Sequence, residues 1–196
     1  MERNATISRR TKETNIEFSL VIEGSGLSNV RSGNGFMDHM LSLFAKHGLF
    51  DLSIDCSGDM EVDFHHSAED IGICLGQAIA KALGDCRGIM RFGSAHVPMD
   101  ESLARVCVDI AGRPNLVYAV DLADRTVSDF ECDLAEDFFK AVADHAKITL
   151  HIDLLRGRNS HHSLEAVFKA FGRALSQACS INPRAPDALP TTKGLF

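Results

Sequence analysis

The sequence predicts an α+β protein made by internal duplication: two half-domains, about 1–95 and 96–196, each a mixed β-sheet backed by two α-helices, with the helices packed between the sheets. Three observations predict it. A cluster of two histidines and a glutamate occurs twice: His65, His66 and Glu69 in VDFHHSAEDIG, then His161, His162 and Glu165 in GRNSHHSLEAVFK, 96 positions further on. Strict apolar alternation marks strands, and apolar residues at helical spacing mark amphipathic helices. The self-similarity extends well beyond the histidines, which points to one repeated unit of about 95 residues.

The elements follow in order. Ile16, Phe18, Leu20 and Ile22 alternate on one face of a strand, which a glycine turn at Gly24–Gly26 ends. NVRSGNGF is a weak phosphate-loop candidate because it lacks the Lys-Ser/Thr ending, and it reads as a turn. FMDHMLSLFAKHGLFDLSID gives a helix at about 36–47 and then a strand. Ile71, Leu75, Ile79 and Leu83 define a second helix at about 68–83.

The second half repeats the plan. Ala104, Val106, Val108 and Ile110 alternate, and Gly112–Pro114 turns the chain. LAEDFFKAVADHAKITLHID holds a helix at about 134–145, followed by a strand with Ile148, Leu150, Ile152 and Leu154 on one face. After Gly157, Leu164, Phe168, Phe171 and Leu175 mark a helix at about 163–179. His39 lies 26 positions before His65 and Asp137 lies 24 before His161, each with a histidine eight residues on, His47 and His145. One-sided strands imply sheets covered on a single face, here by these helices.

At 196 residues and 45% hydrophobic content, the chain can bury a sizeable core. Net charge is −7 and the basic residues are scattered, which argues against a nucleic-acid footprint or an anionic membrane surface; small molecules and other copies are the expected partners. Cys56, Cys74, Cys86, Cys107, Cys132 and Cys179 form no CxxC pair and read as buried, reduced thiols. MERNATISRRTKET has no apolar core of a secretory signal, and no apolar run approaches the roughly 20 residues that span a bilayer, so the expected compartment is the cytoplasm.

Each histidine pair leads into a helix, so Glu69 and Glu165, four residues after the first histidine and three after the second, can reach the side served by either. The two histidines of a pair diverge by roughly 100°, which suits them to different ions rather than one. Two metals per chain is the simplest count. Imidazoles with carboxylates suit manganese, iron or zinc, and the absence of a thiolate set argues against a structural zinc knot. A single HH pair is more often a surface feature, but random composition rarely reproduces the whole pattern twice.

FMDHM (36–40), VDFHHSAEDIG (62–72), GIMRFG (88–93), PMDESLARVCVDIAGRP (98–114), GRNSHHSLEAVFKAFGRAL (157–175) and LPTTKG (189–194) resemble, in order and spacing, the imidazoleglycerol-phosphate dehydratase family. The resemblance covers nearly the whole chain and, with no fused phosphatase domain, implies the monofunctional form. It implies two manganese ions held by His39, His65, His66, Glu69, His161, His162 and Glu165. Asp137 stands where several members carry a further histidine ligand symmetric with His39. A carboxylate still suits manganese, with shorter reach. For the substrate phosphate the resemblance implies Arg91, Arg113, Thr191 and Lys193, with Lys169 nearby; guanidinium forks, ammonium and hydroxyl match a phosphate monoester. Glu13 and His47 match substrate-contacting positions, and Leu43 replaces a glutamine found in other members. His96, His145 and His151 have no ligand partner at repeat spacing and read as structural.

The activity implied is dehydration of imidazole glycerol phosphate to imidazole acetol phosphate in histidine biosynthesis, with the metals as Lewis acids and template and Glu69 or Glu165 transferring the proton. The family's assembly implies a 24-subunit shell of trimers with sites at subunit interfaces. Two other classes compete. A dinuclear metallohydrolase acting on a phosphate ester would use similar ligands but leans on aspartates. A ferritin-like storage bundle would need four long helices and Glu-x-x-His motifs, which the alternating strands and the HHxxE order oppose.

Overall fold

A computed structural model describes residues 3–194. The chain runs β1 (Asn4–Arg10), β2 (Thr14–Val21), β3 (Ser28–Arg31), α1 (Gly35–Gly48), β4 (Asp51–Gly58), α2 (His65–Leu83), β5 (Phe92–Met99), β6 (Ser102–Asp109), β7 (Asn115–Ala119), β8 (Thr126–Val127), β9 (Phe130–Glu131), α3 (Leu134–Ala146), β10 (Thr149–Arg156) and α4 (Ser160–Cys179). The first sheet has the order β1-β2-β4-β3 and the second β5-β6-β10-β7. In both, three strands are antiparallel and the last is parallel to its neighbour, β3 to β4 and β7 to β10. The same mixed topology twice is the predicted α+β duplication. Among the described residues the β8–β9 hairpin has no counterpart in the first half, and it has no signal in the sequence pattern.

Alternation sets the layers. Ile16, Phe18 and Leu20 of β2 and Ala104, Val106 and Val108 of β6 are buried, while the residues between them face outward. α1 and α2 cover the first sheet and α3 and α4 the second, and in the middle α1 packs on α4 and α2 on α3. Phenylalanines fill that seam. Phe44 stacks on Phe171 at 5.1 Å, and Phe168 meets Phe138 at 5.6 Å and Phe139 at 4.9 Å. Each is fully buried, a contribution of roughly 2–3 kcal/mol of apolar transfer apiece. One continuous core therefore joins both halves.

Glycine sets the closeness of the helices. A Cβ at Gly172 of α4 would lie 2.5 Å from the Phe44 carbonyl oxygen of α1, and one at Gly72 of α2 would lie 2.6 Å from that of Phe138 in α3. Without side chains there, the backbones approach to van der Waals contact.

Three expectations are corrected. α2 and α4 begin at His65 and Ser160, not near 68 and 163, so the histidines occupy the first helical turn. Asn159 caps α4 by accepting from the backbone N–H of His162 at 3.2 Å, and Asp63 accepts from that of His65 at 2.8 Å; apolar periodicity registers neither. NVRSGNGF is more than a turn: Asn29–Arg31 belong to β3, pairing with β4, and Asn34 caps α1 through the Met37 N–H. Of the six thiols, all free, Cys74, Cys132 and Cys179 are buried, but Cys56, Cys86 and Cys107 are only half-buried. Cys107 sits on the outward face of β6, where alternation leaves one side to water. Among the described residues, no helix is long and apolar enough to cross a membrane.

Candidate metal centre

The metal-ligand candidates gather where helices start. His65 and His161 stand in the first turns of α2 and α4, His39 in the first half of α1 and Asp137 in the first turn of α3. The serine after each pair, Ser67 or Ser163, is buried against a glycine of the preceding strand or loop: a Cβ at Gly58 would meet Ser67 Oγ at 2.0 Å and one at Gly157 would meet Ser163 Oγ at 2.3 Å. Small residues on both sides seat the histidine turn against the strand end.

One set converges fully within the chain. His39 Nε2 lies 3.6 Å and His161 Nε2 3.4 Å from the same oxygen, Oε2 of Glu165, and the three ligand atoms fall within 4.8 Å of one another. Ligands about 2.1 Å from one ion stand roughly 3.0 Å apart at a right angle and roughly 3.4 Å at the tetrahedral angle. The His161–Glu165 separation matches that spacing and His39 stands just outside it, so the cluster could hold a divalent ion. The second set is its counterpart, with His65 Nδ1 4.0 Å from Asp137 Oδ2 and Glu69 exposed one turn along α2. Asp137, the departure from the expected histidine, thus faces His65.

His66 and His162 point elsewhere. Each ring stands almost perpendicular to its neighbour, 83° with centroids 6.1 Å apart in the first pair and 85° at 6.2 Å in the second. His66 Nδ1 is 3.0 Å from Asp59 Oδ2, and His162 Nδ1 is 2.9 Å from Glu101 Oε2. These bonds raise both imidazoles above their usual pKa. Glu101 is lowered to about 2, first by the His162 bond and then by the Asn159 N–H. Sequence reasoning did not single out Asp59 or Glu101. Glu101 carried a signal, because it immediately precedes β6 as Glu13 immediately precedes β2.

Glu165 is the most constrained carboxylate. Burial opposes its ionisation, but a hydrogen bond from Lys169 Nζ at 2.5 Å, with His39 and His161 nearby, outweighs that and holds it below the usual range. Lys169 thus contacts a candidate ligand directly. His47, at the end of α1, is lowered by burial and by Lys169 and Arg173, and it lines a 600 Å³ cleft with Arg173 and His96. Read as structural from sequence, His96 is exposed in that cleft, whereas His145 bonds the Ala141 carbonyl at 2.9 Å and His151 is exposed on its strand. Leu43 packs against the core. Glu13 lines a 320 Å³ cavity together with Asp59.

The expected phosphate residues lie at the other end of the molecule. The Arg91 N–H donates to the Ala178 carbonyl at 2.9 Å, in the last turn of α4. Its guanidinium bonds Asp109 at 2.7 Å and the Pro190 carbonyl at 2.9 Å, which docks the 189–194 segment, and it lies 4.7 Å over the Phe92 ring. Arg91 holds φ +69°, a left-handed backbone uncommon outside glycine. Thr191 Oγ1 accepts from the Lys193 N–H at 3.1 Å, and Lys193 and Arg113 are exposed, Arg113 in the loop after β6. From His161 to Ala178 is 17 helical residues, about 26 Å at 1.5 Å each.

Fold and site together define a duplicated α+β protein with an imidazole–carboxylate centre at its helix starts. The imidazoleglycerol-phosphate dehydratase profile matches residues 32–175. The enzyme of that name from Pelobacter propionicus is 54% identical over 196 residues, all of both chains, and that from Methylobacillus flagellatus 50% over 192 residues, 98% of this chain and 97% of the relative. The crystal structure of the Staphylococcus aureus enzyme superposes with a TM-score of 0.83 at 41% identity, covering 91% of this chain and 99% of the other. That of the Pyrococcus furiosus enzyme, in complex with (S)-C348, also gives 0.83, at 34% identity over 97% and 100%. The chain belongs to the imidazoleglycerol-phosphate dehydratase family, hydro-lyases of histidine biosynthesis.

Proposed function

We propose that this protein dehydrates imidazole glycerol phosphate to imidazole acetol phosphate with two manganese ions per chain. The convergence of His39, His161 and Glu165 carries the reading. One ion belongs to that set and the other to His65, Glu69 and Asp137, with His66 and His162 turned to complete the coordination of ions held by other copies. Bound metal would supply Lewis acidity and a template for the substrate's ring nitrogens.

Hydroxide leaves the carbon that bears the imidazole ring, a proton leaves the neighbouring carbinol carbon, and the enol so formed becomes the ketone. Proton transfer falls to Glu69, whose exposed carboxylate would be freed from its ion by ligand exchange, while Glu165, gripped by Lys169, stays a ligand. Arg91, Arg113, Thr191 and Lys193 orient the phosphate, and Glu13, His47 and Lys169 border the reacting end.

The separation along α4 supports an assembly. The substrate, about 10 Å long at roughly 1.5 Å per bond, is too short to join the phosphate residues and the metal set of one chain, which stand about 26 Å apart. A second copy must supply one half, as a 24-subunit shell of trimers would. The free thiols fit the reducing cytoplasm as its compartment.

Purified protein incubated with manganese and imidazole glycerol phosphate should form ketone, stop when a chelator is added, and lose large-particle scattering as metal is withdrawn. Release of inorganic phosphate instead of ketone would mark a phosphate-ester hydrolase and refute the reading.

A further inference from the structure

We propose that Glu101 and Asp59 are positioning residues that lock His162 and His66 into the tautomer that presents Nε2 to a metal ion. The inference rests on the metal reading above and goes beyond its ligand set.

A carboxylate can only accept, so the Nδ1 of His162, 2.9 Å from Glu101 Oε2, must carry the hydrogen. In the neutral ring the lone pair then sits on Nε2. The nearest acidic oxygen to Nε2, on Asp100, is 4.0 Å away, beyond hydrogen-bond reach, so that lone pair stays available. His66 repeats the arrangement with Asp59 Oδ2 at 3.0 Å. A ligating imidazole whose other nitrogen is held by a carboxylate has a fixed ring plane and a more basic donor atom.

Non-equivalence of the two carboxylates strengthens the case. Glu101 comes from the turn between β5 and β6, whereas Asp59 follows β4; the residue equivalent to Glu101 is Glu13, and it does not make the bond to His66. The halves reach the same imidazole–carboxylate bond from different loops, an outcome that packing alone does not require. Asp59 also keeps Oδ1 buried with no hydrogen-bond partner among the described residues, so the bond of Oδ2 to His66 is the hydrogen bond its carboxylate makes. Glu101 is built in more firmly: Oε1 accepts from the backbone N–H of Asn159 at 2.9 Å and of Arg158 at 3.3 Å, and from Ser102 Oγ at 3.3 Å. The same side chain thereby ties the start of α4 to the ring it orients.

The test is Mn2+ titration of metal-stripped full-length protein, followed by electron paramagnetic resonance, for the native chain, E101Q, D59N and H162A, with the melting temperature of each metal-free form. Glutamine and asparagine keep an acceptor oxygen but remove the charge and can turn a donor to the ring. We expect manganese affinity to fall about 10- to 100-fold in E101Q and in D59N with metal-free melting unchanged. Native affinity in both, beside weakened binding in H162A, overturns the positioning role and leaves the ligand assignment standing. If E101Q melts early, D59N decides alone, since Asp59 caps no backbone of α4. Absence of manganese binding by the native chain, or an H162A chain that binds normally, defeats the metal reading itself and the positioning role with it.

Discussion

Replacing Gly172 with alanine tests whether helix packing sets the candidate metal centre. The added Cβ would lie 2.5 Å from the Phe44 carbonyl oxygen, about 0.9 Å inside ordinary contact, and 3.2 Å from the Gly48 nitrogen. Both neighbours are backbone, so no side chain can swing aside. α1 and α4 must separate, and α1 carries His39 while α4 carries His161 and Glu165. A rigid shift of about 0.9 Å would open the His39–Glu165 separation from 3.6 Å to roughly 4.5 Å, beyond what adjacent ligands of one ion tolerate. His161 and Glu165 share α4 and would keep their 3.4 Å.

Overpacking of this kind costs about 1–3 kcal/mol, and the better helix propensity of alanine returns up to about 1 kcal/mol. A net loss of up to about 2 kcal/mol should lower the melting temperature of the metal-free chain by up to roughly 8 °C. Manganese affinity should fall by about tenfold or more, a larger effect than the stability change suggests, because one ligand of three is displaced. Calorimetry of the metal-free G172A chain and manganese titration would measure the two effects. A variant that melts and binds metal like the native chain would refute the idea that this crossing sets the ligand spacing.

Other expectations concern the surroundings. Asp70, 8% exposed on α2, pairs with Arg9 at 2.8 Å and accepts from Thr14, joining the first hairpin to the helix that bears His65 and His66. D70A should cost about 3 kcal/mol, the lower end for breaking a buried ion pair, since Arg9 keeps 32% of its side chain in water; denaturant unfolding measures it. Asp51 is held below the usual carboxylate range by the backbone N–H groups of Leu27 and Ser25, so its stabilisation is present above pH ~4 and lost as pH falls through the depressed folded value. The melting-temperature gap between native and D51N chains should shrink from about pH 6 to about pH 3, and a constant gap would contradict the assignment. Burial pushes the Cys74 and Cys179 thiols up to about 12. Under native conditions iodoacetamide should leave both unlabelled while reaching half-buried Cys107, as intact-mass spectrometry would reveal.

The repeated pattern already carried the helices, the strand faces and the approach of His161 to Glu165 along α4. Period is local, and each cluster occupies one helical turn, so neighbours in sequence are neighbours in space. The expected divergence of each histidine pair follows from the same geometry and appears in their partners, His66 meeting Asp59 and His162 meeting Glu101 while His65 faces Asp137 and His161 faces Glu165. Helix starts were less legible, because a cap such as Asn159 acts through one polar bond that apolar spacing does not register. Asp59 and Glu101 were missed because loops bring them to the histidines, and loop paths leave no periodic trace.

By itself, the sequence determined the duplication and the α+β class and marked candidate metal ligands, since these follow from residue type and spacing along single elements. Only the tertiary structure decided that His39 of α1 meets His161 and Glu165 of α4, and that Arg91 and the 189–194 segment stand at the opposite end of that helix. Distances between elements depend on how closely backbones pack, and that depends on what Gly172 lacks as much as on what its neighbours carry.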